Sequence, residues 1–226
     1  MVSVKASVSL RVSSVLALSA LLVACGSNPP PPEPAPKPVP KPVVPTKYPV
    51  IKAVYGQKIM FSVPLSMTPS YENLEMDRYA LEYIPSHQLA HEWTDMVSMA
   101  VFPGAVTTMT AEQAMISVGQ HLEASCPGDF SYADLGPIEV SGRPAHQGLI
   151  GCGRLHRGVA KDKGEISYIL TIAGPQDMII LQKVNRGYRY SPQTPPLNQL
   201  NYTTFAKDLF PVKLCSPYGT SAECLD

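Results

Sequence analysis

The chain has no apolar run of the roughly 20 residues that a membrane-spanning helix needs. Its longest, Val12 to Val23, is a little over half that. No two cysteines form a Cys-x-x-Cys pair, which speaks against a redox enzyme of the thioredoxin type and against a zinc ribbon. There is no Gly-x-Ser-x-Gly elbow and no Ser-x-x-Lys at a plausible helix start, so the familiar serine nucleophiles have no frame. No Gly-x-x-x-x-Gly-Lys-Ser/Thr loop is present, and Gly151-Cys152-Gly153 stops short of a dinucleotide fingerprint because position 156 is His. Net charge is zero, from 18 Lys and Arg against 18 Asp and Glu. Aromatics do not interleave with the basic residues, so nucleic acid is not an expected partner.

What the chain does have begins at its start. Lys5 and Arg11 lie ahead of the apolar run with no acid between them. Leu22-Val23-Ala24-Cys25 closes the run, and Gly26-Ser27 follows. This charged start, short apolar core and small residue before a cysteine resembles the lipobox of bacterial lipoproteins. The resemblance implies a signal peptide over 1–24 and lipidation of Cys25 as the mature N-terminus. Two or more acyl chains hold a protein stably where one does not. Gly26 in place of aspartate implies outer-membrane sorting, with the domain facing the periplasm or the cell surface.

Residues 29–49 hold 11 of the 24 prolines, with Glu33, Lys37, Lys41 and Lys47 among them. Such a tract favours extended polyproline and cannot pack a core. Over 25–49 we expect a disordered, proline-rich linker, whose positions 29–49 reach about 65 Å when extended. The globular domain is expected over 50–226. It is long enough to bury most of its apolar surface without staples.

Four cysteines remain: Cys126, Cys152, Cys215 and Cys224. In an exported chain an even count reads as disulfides. Three pairings are possible. Pro217 and Gly219 supply a turn that favours Cys215–Cys224, which leaves Cys126–Cys152 to tie a helix end to a strand. The glycines flanking Cys152 then read as room for that close approach.

Gln57–Pro64 reads as a strand. Arg78–Ile84 alternates, with Tyr79, Leu81 and Tyr83 on one face. Trp93–Phe102 is apolar on both faces and reads as a buried strand, with a helix over 86–99 as the alternative. Thr110 with Gln113 forms a capping box, and Met115, Val118 and Leu122 follow at helical spacing. Strands are expected at Phe130–Asp134, Ile138–Val140, Ala145–Gly151, Ile166–Ala173 and Met178–Val184, with Ile166, Tyr168, Leu170 and Ile172 sharing a face. Ser141-Gly142 is turn chemistry. Leu197–Leu209 is expected as a last helix.

The fold class is therefore α+β, an antiparallel sheet of about six or seven strands packed with two helices. This element order, with Tyr83-Ile84-Pro85 and His91-Glu92-Trp93-Thr94-Asp95-Met96, resembles small Mog1/PsbP-like domains. That resemblance implies a binding or assembly module and transfers no residue roles.

His87 and His91 lie four apart, which on a helix would suit a metal, but a third ligand is missing and Asp95 stands where HExxH needs histidine. His121 reads as a helix histidine bordering the core face, and His146 and His156 have no nearby carboxylate in sequence to orient them. No catalytic, metal or cofactor residue is assigned. Charge is segregated: residues 72–139 hold eleven acids against Arg78 alone, and residues 140–213 hold ten bases against four acids. Arg154, Arg157, Lys161 and Lys163 cluster in one turn, with His156, and are the expected docking surface; Arg186 and Arg189 are candidates to join it. Anionic glycan or lipid headgroups suit the same turn. The alternative is that the two halves interleave and neutralise each other. The expected function is a non-enzymatic accessory that binds another envelope protein. The second reading is a small-ligand carrier with a pocket lined by Trp93, Met96, Met99 and Met115.

Overall fold

The computed structural model describes residues 45–126, 128–156 and 160–225. Cys25, the apolar run before it and most of the proline-rich tract lie outside the described residues. So does Arg157.

The chain begins with a hairpin. β1 (Lys47–Val54) pairs antiparallel with β2 (Gln57–Pro64) in full register. Tyr55 and Gly56 both have positive φ, 48° and 79°, as a two-residue turn of this twist requires. β3 (Met67–Leu74), β4 (Tyr79–Pro85) and β5 (Asp95–Phe102) follow. A 3-10 turn at Ala105–Thr107 leads to α1 (Ala111–Ser125). Then come β6 (Phe130–Val140), β7 (Arg143–Cys152), β8 (Lys163–Ala173) and β9 (Met178–Tyr188). The chain ends with α2 (Tyr202–Ala206), β10 (Lys213–Cys215) and α3 (Ser221–Leu225).

The strands form two antiparallel sheets. One has seven strands in the order β3-β4-β5-β9-β8-β7-β6, and the other has three, β1-β2-β10. This is the α+β class expected. Strand alternation fixes what each face of the large sheet does. On the inner face Leu81, Val97, Met99, Tyr168, Leu170, Ile172 and Leu181 pack against Ile59, Phe61 and Val63 of the small sheet and against Ala206 and Leu209 near α2. On the outer face Met115 of α1 seats on Ile150 and Ile169, and Ile180 belongs to the same cluster. A third cluster, Ile84, Trp93 and Val184, lies on the outer face toward the β4–β5 connection.

The capping box of α1 forms in both directions. Gln113 N–H donates to Thr110 Oγ1 at 3.2 Å, and the Thr110 N–H donates to Gln113 Oε1 at 2.9 Å. β4 follows its expected alternation, and Trp93–Phe102 is strand from Asp95 on, so the helical alternative over 86–99 does not form.

Several expectations need correction. The first strand starts at Lys47, inside the stretch assigned to the linker; Val50 and Val54 are buried there despite Pro49. β3 was not expected, because its polar sequence sits on a sheet edge and most of its side chains are solvated. The two short strands at 130–140 are one strand, with a bulge between Asp134 and Gly136. The helix expected over Leu197–Leu209 shrinks to Tyr202–Ala206. Before it, Asn198 and Asn201 side chains hydrogen-bond the backbone of Leu200 and Asn198, a turn-forming habit that competes with helix.

Candidate functional site

α1 lies chiefly over β7 and β8, with its main contacts there, and meets β5 only at the margin, through Ala100 and Phe102. It therefore leaves the outer face of β5 and β9 partly open at Ala100, Phe102 and Gln182, while Met178 and Ile180 beside them are buried. In register there, Ala100 stands opposite Ile180 and Phe102 opposite Met178. These four make the floor of a cleft of about 460 Å³. Ala114, Val118 and Leu122 of α1 form one wall, and Ala105 and Met109 close an end. Polar groups enter from Ser117, His121 and Gln182. Gln182 continues a polar row, since it pairs with Ser98 and Ser98 pairs with Glu82. Partial burial pushes the Glu82 carboxyl above its ordinary range. A concave, mostly apolar surface with a few polar groups is built to hold an apolar partner group. The two methionines can reshape to fit one.

This cleft is not the pocket expected from the sequence. Trp93 and Met96 belong to one cluster, Met99 to the inner core and Met115 to the cluster beneath α1. Met96 and Met99 are three apart on one strand and so point to opposite faces. The four expected lining residues never share a cavity. The real lining was missed because α1 covers only part of the sheet, and that offset is a packing outcome with no local sequence signal.

The basic turn forms at the end of β7 and the start of β8. Arg154, Lys161 and Lys163 are exposed there. Arg189 joins them, lining a notch with Arg154, Gly153, Tyr190, Ser191 and Asp129. Arg186 does not join. Its guanidinium lies 3.4 Å from the Trp93 ring centre and donates to Glu165 at 2.9 and 3.0 Å. Among the described residues, the pair Arg154–Asp129 at 3.6 Å links the acidic and basic halves of the sequence, whereas Lys183–Asp208 and Arg186–Glu165 lie within the basic half.

His87 and His91 fall in the turn between β4 and β5, and His91 lies 3.6 Å from the exposed Glu92 carboxylate. Among the described residues no three of His, Cys, Asp and Glu gather as metal ligands. His146 corrects the sequence reading, because it does have a carboxylate. Its Nε2 lies 2.7 Å from Asp134 Oδ1 across the β6–β7 hairpin. Asp134 also accepts from the Gly136 N–H at 2.8 Å. Partial burial pushes the Asp134 carboxyl up, but the Gly136 N–H and His146 outweigh it and hold the group below its ordinary range. His146 is buried beneath α1, and Thr171 Oγ1 ties both layers by donating to Ala111 O at 2.7 Å and lying 3.2 Å from His146 O. The pair holds the bulge and the hairpin.

The structure bonds Cys126 to Cys152 and Cys215 to Cys224. The glycines around Cys152 serve something else. A Cβ on Gly153 would stand 2.1 Å from the Tyr190 carbonyl, and one on Gly151 would stand 2.2 Å from the Tyr190 hydroxyl. They make room for the segment after β9, not for the disulfide.

No family model matches the chain, and no characterised protein matches it in sequence. Among solved structures it is similar to the Saccharomyces cerevisiae Ran-binding protein Mog1p, with a TM-score of 0.40 and 12% identity over 76% of this chain and 87% of that one. A point mutant of protein Mog1 gives a TM-score of 0.39 and 11% identity over 71% and 84%. We draw no function from a likeness of this degree.

Proposed function

We propose that this chain is a bacterial lipoprotein, anchored through Cys25 in the outer membrane, whose domain binds another envelope protein without transforming it. The lipobox-like sequence supports the address. The proline-rich tract supports a spacer that carries the domain away from the membrane surface. The observation that supports binding is the cleft beside α1, where Ala100, Phe102 and Val118 leave apolar surface partly open above the buried Ile180. A partner that presents apolar side chains would close it. A small apolar ligand is the second reading, favoured by the concavity of the same cleft.

The test is co-purification from membranes after gentle crosslinking, with Cys25 intact. Ser117 is exposed at the cleft mouth, so Ser117→Trp fills the cleft without entering the core. A protein partner captured by the native chain and lost in Ser117→Trp is the expected result. Clean monomeric recovery in both overturns the protein-partner reading. An intact mass showing an unmodified Cys25 overturns the anchor.

A further inference from the structure

Three segments meet where β7 ends. β7 leads through Gly153 to Arg154, β8 begins at Lys163, and the continuation of β9 carries Tyr188 to Ser191. Backbone bonds lock them side by side. Lys163 pairs with Tyr188 in register, Leu155 N–H donates to Lys163 O at 2.8 Å, and Tyr190 N–H donates to Gly153 O at 2.9 Å. Arg154, Lys163 and Arg189 are therefore rooted on neighbouring, hydrogen-bonded backbone.

Tyr190 fixes the floor. Its ring lies where a Cβ on Gly164 would stand 2.7 Å away, and its hydroxyl donates to Glu165 O at 2.9 Å. Burial pushes that phenol up to about 12. Arg189 is thus attached to a seated residue and not to a free loop. The notch has a volume of about 380 Å³. Asp129 stands 3.6 Å from Arg154 Nε and occupies one edge of that guanidinium. The remaining N–H groups of Arg154 are left for another acceptor. Arg189 has no ion-pair partner among the described residues, and Lys161 and Lys163 stand exposed in the same turn.

We propose that this notch is a phosphate-binding site. Guanidinium forks match the oxygens of an oxyanion two at a time. Two guanidiniums, Arg154 and Arg189, line the notch beside the Asp129 carboxylate, and Lys161 and Lys163 flank Asp162 where the β7–β8 connection enters β8; that arrangement suits a group with more oxygens and more charge than a lone carboxylate. The phosphate can be a free ion or the headgroup of an anionic lipid. The site is separate from the cleft beside α1 and does not depend on a protein partner binding there.

The test uses the full chain carrying Cys25→Ser, so that no acyl chain contributes to membrane affinity. Calorimetry with inorganic phosphate reads the free ion. Co-sedimentation with vesicles of equal parts phosphatidylglycerol and phosphatidylcholine, against phosphatidylcholine alone, reads the headgroup. Heat released on adding phosphate assigns the site to the free ion. Selective sedimentation with the phosphatidylglycerol vesicles assigns it to the headgroup. Either result supports the proposal, provided that Arg154→Gln with Arg189→Gln weakens binding by about tenfold or more at an unchanged thermal midpoint. Arg78→Gln, on the far β3–β4 edge, should leave binding as it was. Equal weakening by Arg78→Gln, equal binding to both vesicle types without a phosphate signal, or no binding of either probe overturns the proposal. A captured envelope protein would leave the proposed function standing in any of those cases.

Discussion

The two faces of the seven-stranded sheet are stabilised differently. The inner face is closed by a second sheet and by the C-terminal segment, and its side chains are mostly apolar, with Lys183–Asp208 and Tyr168–Gln147 as polar contacts among them. The outer face is covered by one helix, which leaves β5 and β9 partly open. Packing dominates the first face. On the second, a cap, a covalent tie and a few polar bonds hold a helix whose apolar contact is small. Open surface suited to recognition is left where packing is thinnest.

The difference can be broken from either side. The largest effect expected is from Cys126→Ser with Cys152→Ser, which frees the C-terminal end of α1 from β7. The bond spans 26 residues, and the chain-entropy estimate for a loop of that size is about 3.5 kcal/mol. Urea unfolding under non-reducing conditions measures it. Next is Leu170→Ala on the inner face. Leu170 is fully buried, and such a truncation costs about 3 kcal/mol. Leu122→Ala, on the half-buried wall of the cleft, should cost about 1 kcal/mol. If the two truncations cost the same, the contrast between the faces fails. Thr110→Ala removes the hydroxyl that accepts from the Gln113 N–H and leaves the backbone half of the capping box; it should cost about 1 kcal/mol, read by the same denaturation.

The smallest effect expected is pH-dependent. The Asp134 carboxyl titrates lower in the folded chain than its ordinary value. Its contribution is therefore present above the unfolded value, about 3.9, and is lost as pH falls through the folded one. The stability gap between the native chain and Asp134→Asn should be steady near neutrality and shrink below about pH 4. Asp134 is half exposed, so solvent screening keeps the gap small. A gap that widens in acid would contradict the assignment.

Much of this architecture was legible where local chemistry and burial agree. Thr110 and Gln113 announced a helix start, and Tyr79, Leu81 and Tyr83 announced a half-buried strand. The edges were less legible. β3 carries Glu72 and Asn73 because an edge strand is solvated, which erases the alternation that would reveal it. β1 hid behind Pro49, whose missing N–H an edge position tolerates. The pairing of His146 with Asp134 was within reach. The Ser141-Gly142 turn, with φ of 51° and 71°, sets a hairpin register that puts His146 opposite Pro137, and a bulge swings Asp134 toward it. Only the bulge was unforeseeable. The cleft had no local signal, because it results from where α1 comes to rest.

The amino-terminal strand has a mechanical consequence. The Lys47 ammonium donates to the carbonyls of Lys207, at 2.6 Å, and of Phe210, so the entry of the chain is fastened to its far end. A pull on the polypeptide upstream of Lys47 meets this clasp first. Behind it lie eight residues paired with β2. Tension along the strand would load those pairs together and be resisted as shear, whereas tension across it would peel them singly. The direction from which this domain is hauled would then decide how firmly it keeps its shape.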